Sequence, residues 1–113
     1  MTPPADSRLT RVMEAIAENP RLDVNALARL VNLSPSRLQH LFKQDLGIAI
    51  RDVVGEQRLK KAALLLVSSD MRIKEITFEV GYEHTSSFVR AFRKRYVTPP
   101  GSYRRAAQDG RIC

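Results

Sequence analysis

"VNLSPSRLQHLFK", residues 31–43, and "VGYEHTSSFVRAFR", residues 80–93, are two versions of one pattern. Val31 aligns with Val80, Leu33 with Tyr82, Leu38 with Phe88, Phe42 with Phe92 and Lys43 with Arg93, with one extra residue in the second turn. In each copy a break rich in Ser, Pro or Gly leads into apolar residues spaced three or four apart, which predicts a tight turn followed by an amphipathic helix.

Working outward, seven helices can be read, and no alternating strand pattern competes with them. Leu9, Val12, Met13 and Ile16 predict a first helix that Asn19-Pro20 stops. Asp23 caps a second, which buries Val24, Leu27, Ala28 and Val31. Ser34 caps the third and Pro35 takes its first position, with Leu38, Leu41 and Phe42 as its core stripe and Gly47 as its end. The longest runs from Ile50 to Val67, with Val54, Leu59, Ala62, Ala63 and Leu66 available for burial and Gly55 in its interior. A fifth spans Arg72 to Val80, after which Gly81 suits a left-handed cap. The sixth carries Phe88, Phe92 and Tyr96, and Pro99-Pro100 separates it from a short seventh ending near Ala107. The expected fold is all-α: two helix-turn-helix units, helices two with three and five with six, joined by a long central helix. A helix-turn-helix presents its second helix to a major groove of DNA, whereas ordinary helical hairpins in a bundle share the same spacing.

Composition narrows the function. The 113 residues are 43% hydrophobic and 27% charged, which suits a globular domain able to bury a core without staples. The only cysteine is Cys113, so neither an internal disulfide nor a cysteine-based zinc site is available. The longest apolar run, Ala62 to Val67, is far short of the ~20 residues that span a bilayer, and "MTPPADSRLT" lacks a signal-peptide core. We therefore expect an intracellular, cytoplasmic protein. His40 and His84 lie on different units, and neither a metal-ligand spacing nor a nucleophile or phosphate-loop signature occurs, so no enzyme and no cofactor is expected. The net charge of +7 points to an anionic partner.

The placement of charge is more telling than its total. On the third helix Ser36, Gln39, His40 and Lys43 lie opposite the apolar stripe, and none is acidic. On the sixth, Ser86, Arg90 and Arg93, flanked by Val89 and Lys94, oppose the three aromatics. From Arg90 to Arg111 the only acid is Asp109. A merely solvated face mixes signs, as Lys74, Glu75 and Glu79 do. Two uncompensated basic faces on the second helices of a repeated pair favour duplex DNA, and a basic helical adaptor for an acidic protein or membrane surface is the rival class.

"LSPSRLQHLFKQDLG", "QRLKKAALLL", "IKEITFEVGYEHTSSFVRAFRKRY" and "PPGSYRR", in that order across residues 8–105, resemble the DNA-binding domain of AraC/XylS-type bacterial transcription regulators. The resemblance implies two helix-turn-helix units linked by one long helix, and promoter double-stranded DNA as partner. It implies base-reading roles for Ser36, Arg37, Gln39 and His40 in the first unit and for Thr85, Ser86, Val89 and Arg90 in the second. Arg90 suits a bidentate contact to guanine, Gln39 an adenine edge and Val89 a thymine methyl. Lys43, Arg93, Lys94 and Arg104 suit phosphates. Ser36 and Ser86 also fit a role at their helix starts, and Tyr82 and Tyr103 fit packing. Thr77 stands where the family commonly has a small alanine between paired helices. Residues 1–7 are expected as a tail or linker, 8–107 as the domain and 108–113 as a C-terminal tail. The opening "MTPPAD" reads as a genuine start or as the end of a linker, and we expect the second. A missing effector-binding or dimerisation domain and a contact with RNA polymerase complete the partners the family implies. About 18 residues of helix from Ile50 span roughly 27 Å, which leads us to expect that the two recognition helices read adjacent major grooves.

Overall fold

The structure is a computed structural model that describes residues 6–110. Among these residues lie seven helices and no strand: α1 Ser7–Glu18, α2 Val24–Leu30, α3 Pro35–Leu46, α4 Ile50–Ser68, α5 Ile73–Glu79, α6 Thr85–Tyr96 and α7 Pro100–Gln108. The chain forms two compact units, one up to Gln57 and the other from Arg58. Helix α1 begins at Ser7 and α7 ends at Gln108, each within a span expected as a tail, and residues 1–5 and 111–113, Cys113 among them, lie outside the described residues.

In the first unit α2, α3 and the start of α4 close over α1. Leu9, Val12, Ile16, Leu27, Leu38 and Phe42 are almost wholly buried, joined by Ala28, Val31, Ile50 and Val53. At the α4 start Ile50 and Val53 are buried, and Val54, expected in the core, packs half-buried against them. The helix starts follow from side-chain oxygens placed against otherwise unpaired amides. Asp6 accepts from the Arg8 amide at 2.9 Å, Asp23 from the Ala26 amide at 2.8 Å and Ser34 from the Arg37 amide at 3.1 Å. The Arg8 guanidinium also bonds Asp6, which holds that carboxyl below its ordinary range.

The second unit repeats the plan with larger side chains. Leu59, Ala62, Leu66, Ile76, Val80, Phe88 and Phe92 form its core. Five aromatic rings run through it: Tyr82 lies 5.6 Å from Phe88, Phe88 5.8 Å from Phe92, and Phe92 4.6 Å from Tyr96 and 5.3 Å from Tyr103. Tyr82 and Tyr103 therefore pack, as their positions suggested. Burial pushes the Tyr82 phenol above its ordinary value, although the Arg58 guanidinium over the ring opposes this. Thr77 is completely buried, and its hydroxyl donates to the Ile73 carbonyl at 2.9 Å, so a polar group fits where the paired helices touch without being left unsatisfied.

The turns repeat too. The Leu33 amide donates to the Ala28 carbonyl and the Tyr82 amide to that of Thr77, both at 3.0 Å, across a residue of positive φ: Asn32 in one turn, Gly81 in the other. Gly47 (φ 74°) ends α3 and Val97 (φ 69°) ends α6, each in the left-handed region with its amide bonded to the carbonyl four residues back. Helix α6 thus stops at Tyr96, before the Pro99-Pro100 break expected to end it. A left-handed conformation costs a residue with a Cβ about 1–2 kcal/mol, so Val97 is strained where Gly47 is not.

Phe92 is fully buried at the centre of the ring cluster. Phe92→Ala is expected to cost about 3–5 kcal/mol, a large share of the stability of a domain this size. A thermal melt checks this, and a midpoint within a degree or two of the parent would show that the stripe is not core.

Candidate nucleic-acid interface

Burial of Phe88 and Phe92 fixes which way α6 faces. Residues Thr85, Ser86, Val89, Arg90, Arg93 and Lys94 fall on the opposite side, where they line one open, shallow groove that Val97 closes at the helix end. Ser86, Arg90, Arg93 and Lys94 are exposed; Thr85 and Val89 are half-buried, with Val89 also resting on the core. The groove has no carboxylate in its lining. Its cations also sit well electrostatically, because Arg93, Lys94 and Arg95 occupy the last turn of α6, where the helix dipole is negative. Arg95 points elsewhere, with its guanidinium 4.8 Å over the Tyr96 ring.

Helix α3 presents the matching side of the first unit. Leu38 and Phe42 are buried, and Ser36, Arg37, Gln39, His40 and Lys43 are all exposed. Ser34 caps the helix, so Ser36 is not needed there. The Lys43 amine reaches the Gly47 carbonyl at 3.5 Å, a long contact at the surface. In the second unit His84, at the start of α6, makes no capping bond with its side chain. The eight residues assigned base-reading roles from the sequence thus divide between the outer sides of α3 and α6, each within its own unit.

Arg104, taken from the sequence as a phosphate contact, has other work in the structure. It is half-buried on α7, and its Nε donates to the Leu66 carbonyl at 3.0 Å and its Nη2 to the Ser69 carbonyl at 3.2 Å. Those carbonyls lie at the C-terminal end of α4, where acceptors have no partner within the helix and a cation is favoured. Arg104 is therefore turned onto its own unit and takes no part in the α6 groove. No local pattern signals this, because the bond joins residues 38 positions apart. Val97 was also missed, since a valine after a helix carries no signal of left-handed backbone.

A repeated helix-turn-helix whose second helices turn basic side chains outward, with no carboxylate in the α6 groove, defines a double helix-turn-helix DNA-binding domain. Residues 27–106 match the family described as "Helix-turn-helix domain". The chain belongs to the AraC/XylS-type helix-turn-helix family. It is 34% identical over 110 residues to the arabinose operon regulatory protein of Escherichia coli K12, an alignment covering 95% of this chain and 38% of that protein. The C-terminal domain of AraT, a response regulator from Geobacillus stearothermophilus, is 33% identical with a TM-score of 0.79, covering 89% of this chain and 86% of that one. The DNA-binding domain of AdpA, solved in complex with a target DNA, shares the fold at a TM-score of 0.75 and 24% identity, over 97% of both chains. Such relatives and fold belong to transcription regulators and not to enzymes. Among the described residues no helix is long and apolar enough to cross a membrane.

Arg104→Ala should destabilise the second unit by about 1–3 kcal/mol, the usual cost of stranding acceptors that bonded a charged donor. Arg104→Lys should recover only part of it, because an ammonium lacks the fork that reaches both carbonyls. Denaturant melts of the three proteins test the assignment. Full stability in Arg104→Ala, coupled with weaker DNA binding, would restore the phosphate role.

Proposed function

We propose that the chain binds double-stranded promoter DNA sequence-specifically, as the DNA-binding part of a cytoplasmic transcription regulator. The observation that carries this is the α6 groove, where Arg90, Arg93 and Lys94 stand beside Thr85, Ser86 and Val89 without a carboxylate. Phosphates lining a major groove would be drawn to such a surface, and its short polar and branched side chains are suited to base edges. In this reading Thr85, Ser86, Val89 and Arg90 read bases from α6, and Ser36, Arg37, Gln39 and His40 read them from α3. Lys43, Arg93 and Lys94 hold phosphates. The chain spans only 38% of the length of the arabinose regulator it resembles, and a separate effector-binding or dimerisation domain and a contact with RNA polymerase enter the proposal as what the family resemblance implies.

Selection of bound sequences from a random duplex pool is the direct test. An enriched motif supports the proposal, and binding without any motif favours a basic adaptor. Within that motif, Arg90→Ala should weaken the best site by about 1–3 kcal/mol and relax preference at one base position. An unchanged preference profile would remove Arg90 from the base readers.

The recognition helices are further proposed to read adjacent major grooves, which places two base clusters about 10 base pairs apart. Inserting five base pairs between the clusters should then abolish most of one unit's specific contacts, as gel-shift affinities would show. Footprints protecting a single groove would overturn the two-groove reading and leave DNA binding itself intact.

A further inference from the structure

We infer that Val97 is a DNA contact, its isopropyl group packing against the deoxyribose wall of the groove that α6 enters; this rests on the DNA-binding reading above. Val97 is 86% exposed, so its side chain contributes nothing to the core. It nonetheless holds a left-handed backbone, φ 69° and ψ −1°, in which a β-branched residue is strongly disfavoured. The fold does not ask for valine here. Gly47 performs the same step at the end of α3, with the same amide-to-carbonyl bond four residues back and no strain. Strain that serves no packing need is a mark of function.

Position says what the function is. Val97 lines the same groove as Arg90, Arg93 and Lys94, so whatever the cations face, the isopropyl group faces too. A nucleic acid offers such a surface few apolar partners: thymine methyls on the groove floor and sugar rings on its walls. Helix α6 has 12 residues, a length of about 18 Å, whereas the major groove is about 12 Å wide. With Thr85 to Arg90 on the bases, the far end of the helix reaches the wall, and the sugars become the partner. The one turn after Arg90 adds Arg93 and Lys94, and Val97, a turn further on, is the apolar end of that row. The contact is therefore independent of base sequence and adds affinity by excluding water rather than by releasing counterions.

Val97→Gly and Val97→Asn test this, because both residues tolerate the left-handed region and neither carries the isopropyl group, and asparagine also avoids the extra unfolded-state freedom of glycine. Both are expected to bind every duplex about 5–10-fold more weakly than the parent, with the same base preferences. The slope of affinity against salt should stay unchanged, whereas Lys94→Ala should reduce it by about one. Their melting temperatures should equal the parent's or exceed it by about 2–5 °C. Parental affinity in both variants would overturn the contact and leave the DNA reading standing. A changed salt slope, or a drop in melting temperature that accompanies the weaker binding, would overturn it as well. A parent protein that shows no sequence preference at all would remove the reading on which the inference rests.

Discussion

Phe92 is the side chain on which the working surface depends. It is fully buried and touches three other rings, those of Phe88, Tyr96 and Tyr103. A helix of 12 residues has little stability of its own, and the positive charges crowded along α6 repel one another. What holds the helix is the burial of its aromatic stripe, and that same burial sets its rotation. Once Phe88 and Phe92 point inward, Arg90, Arg93 and Lys94 have nowhere to go but the outer side. Hydrophobic packing and electrostatic display are two consequences of one periodicity.

The units solve the same problem with different parts. In the first, a Ser34 cap and a Gly47 end leave α3 relaxed at both termini. In the second, α6 starts without a side-chain cap from His84 and ends on a strained valine. The larger ring core has to compensate, and Arg104 adds to it by tying α7 to the carbonyls of Leu66 in the last turn of α4 and of Ser69 just past it. Thr77 belongs to the same economy, because its hydroxyl is satisfied within α5 and its side chain is as fully buried as Ala28, which holds the matching position in the first unit.

Most of this was legible in the sequence, because it rests on local periods and caps. The repeat, the all-α class, the seven helices and the Leu38-Phe42 and Phe88-Phe92 stripes all follow from spacings of three and four, and the caps at Asp23, Ser34 and Gly47 from residue type. Two things were not legible. The Arg104 bonds depend on residues far apart along the chain, so composition made it one more surface cation. The left-handed Val97 contradicts local preference, and a sequence read through preference could only place the helix end at the prolines beyond it. The groove-facing assignments on α3 and α6 came from helical geometry together with family resemblance. The structure leaves the α3 side chains exposed and lines the α6 groove with the others, of which Thr85 and Val89 are half-buried.

The two copies also differ in an informative way. Positions that face inward agree in kind: Leu38 with Phe88, Phe42 with Phe92, Val31 with Val80. Outward positions diverge in chemistry, with Gln39 against Val89, His40 against Arg90 and Gln44 against Lys94. A bundle with no ligand would be equally free to vary its outer residues, but nothing would keep carboxylates away, and acids do appear on the exposed side of α5 at Glu75 and Glu79. On the outer face of α6 the substitutions change size and hydrogen-bonding pattern while the acid is always missing. That combination, variable in shape and constant in sign, is what a surface must have if its two copies meet the same polyanionic backbone but different bases.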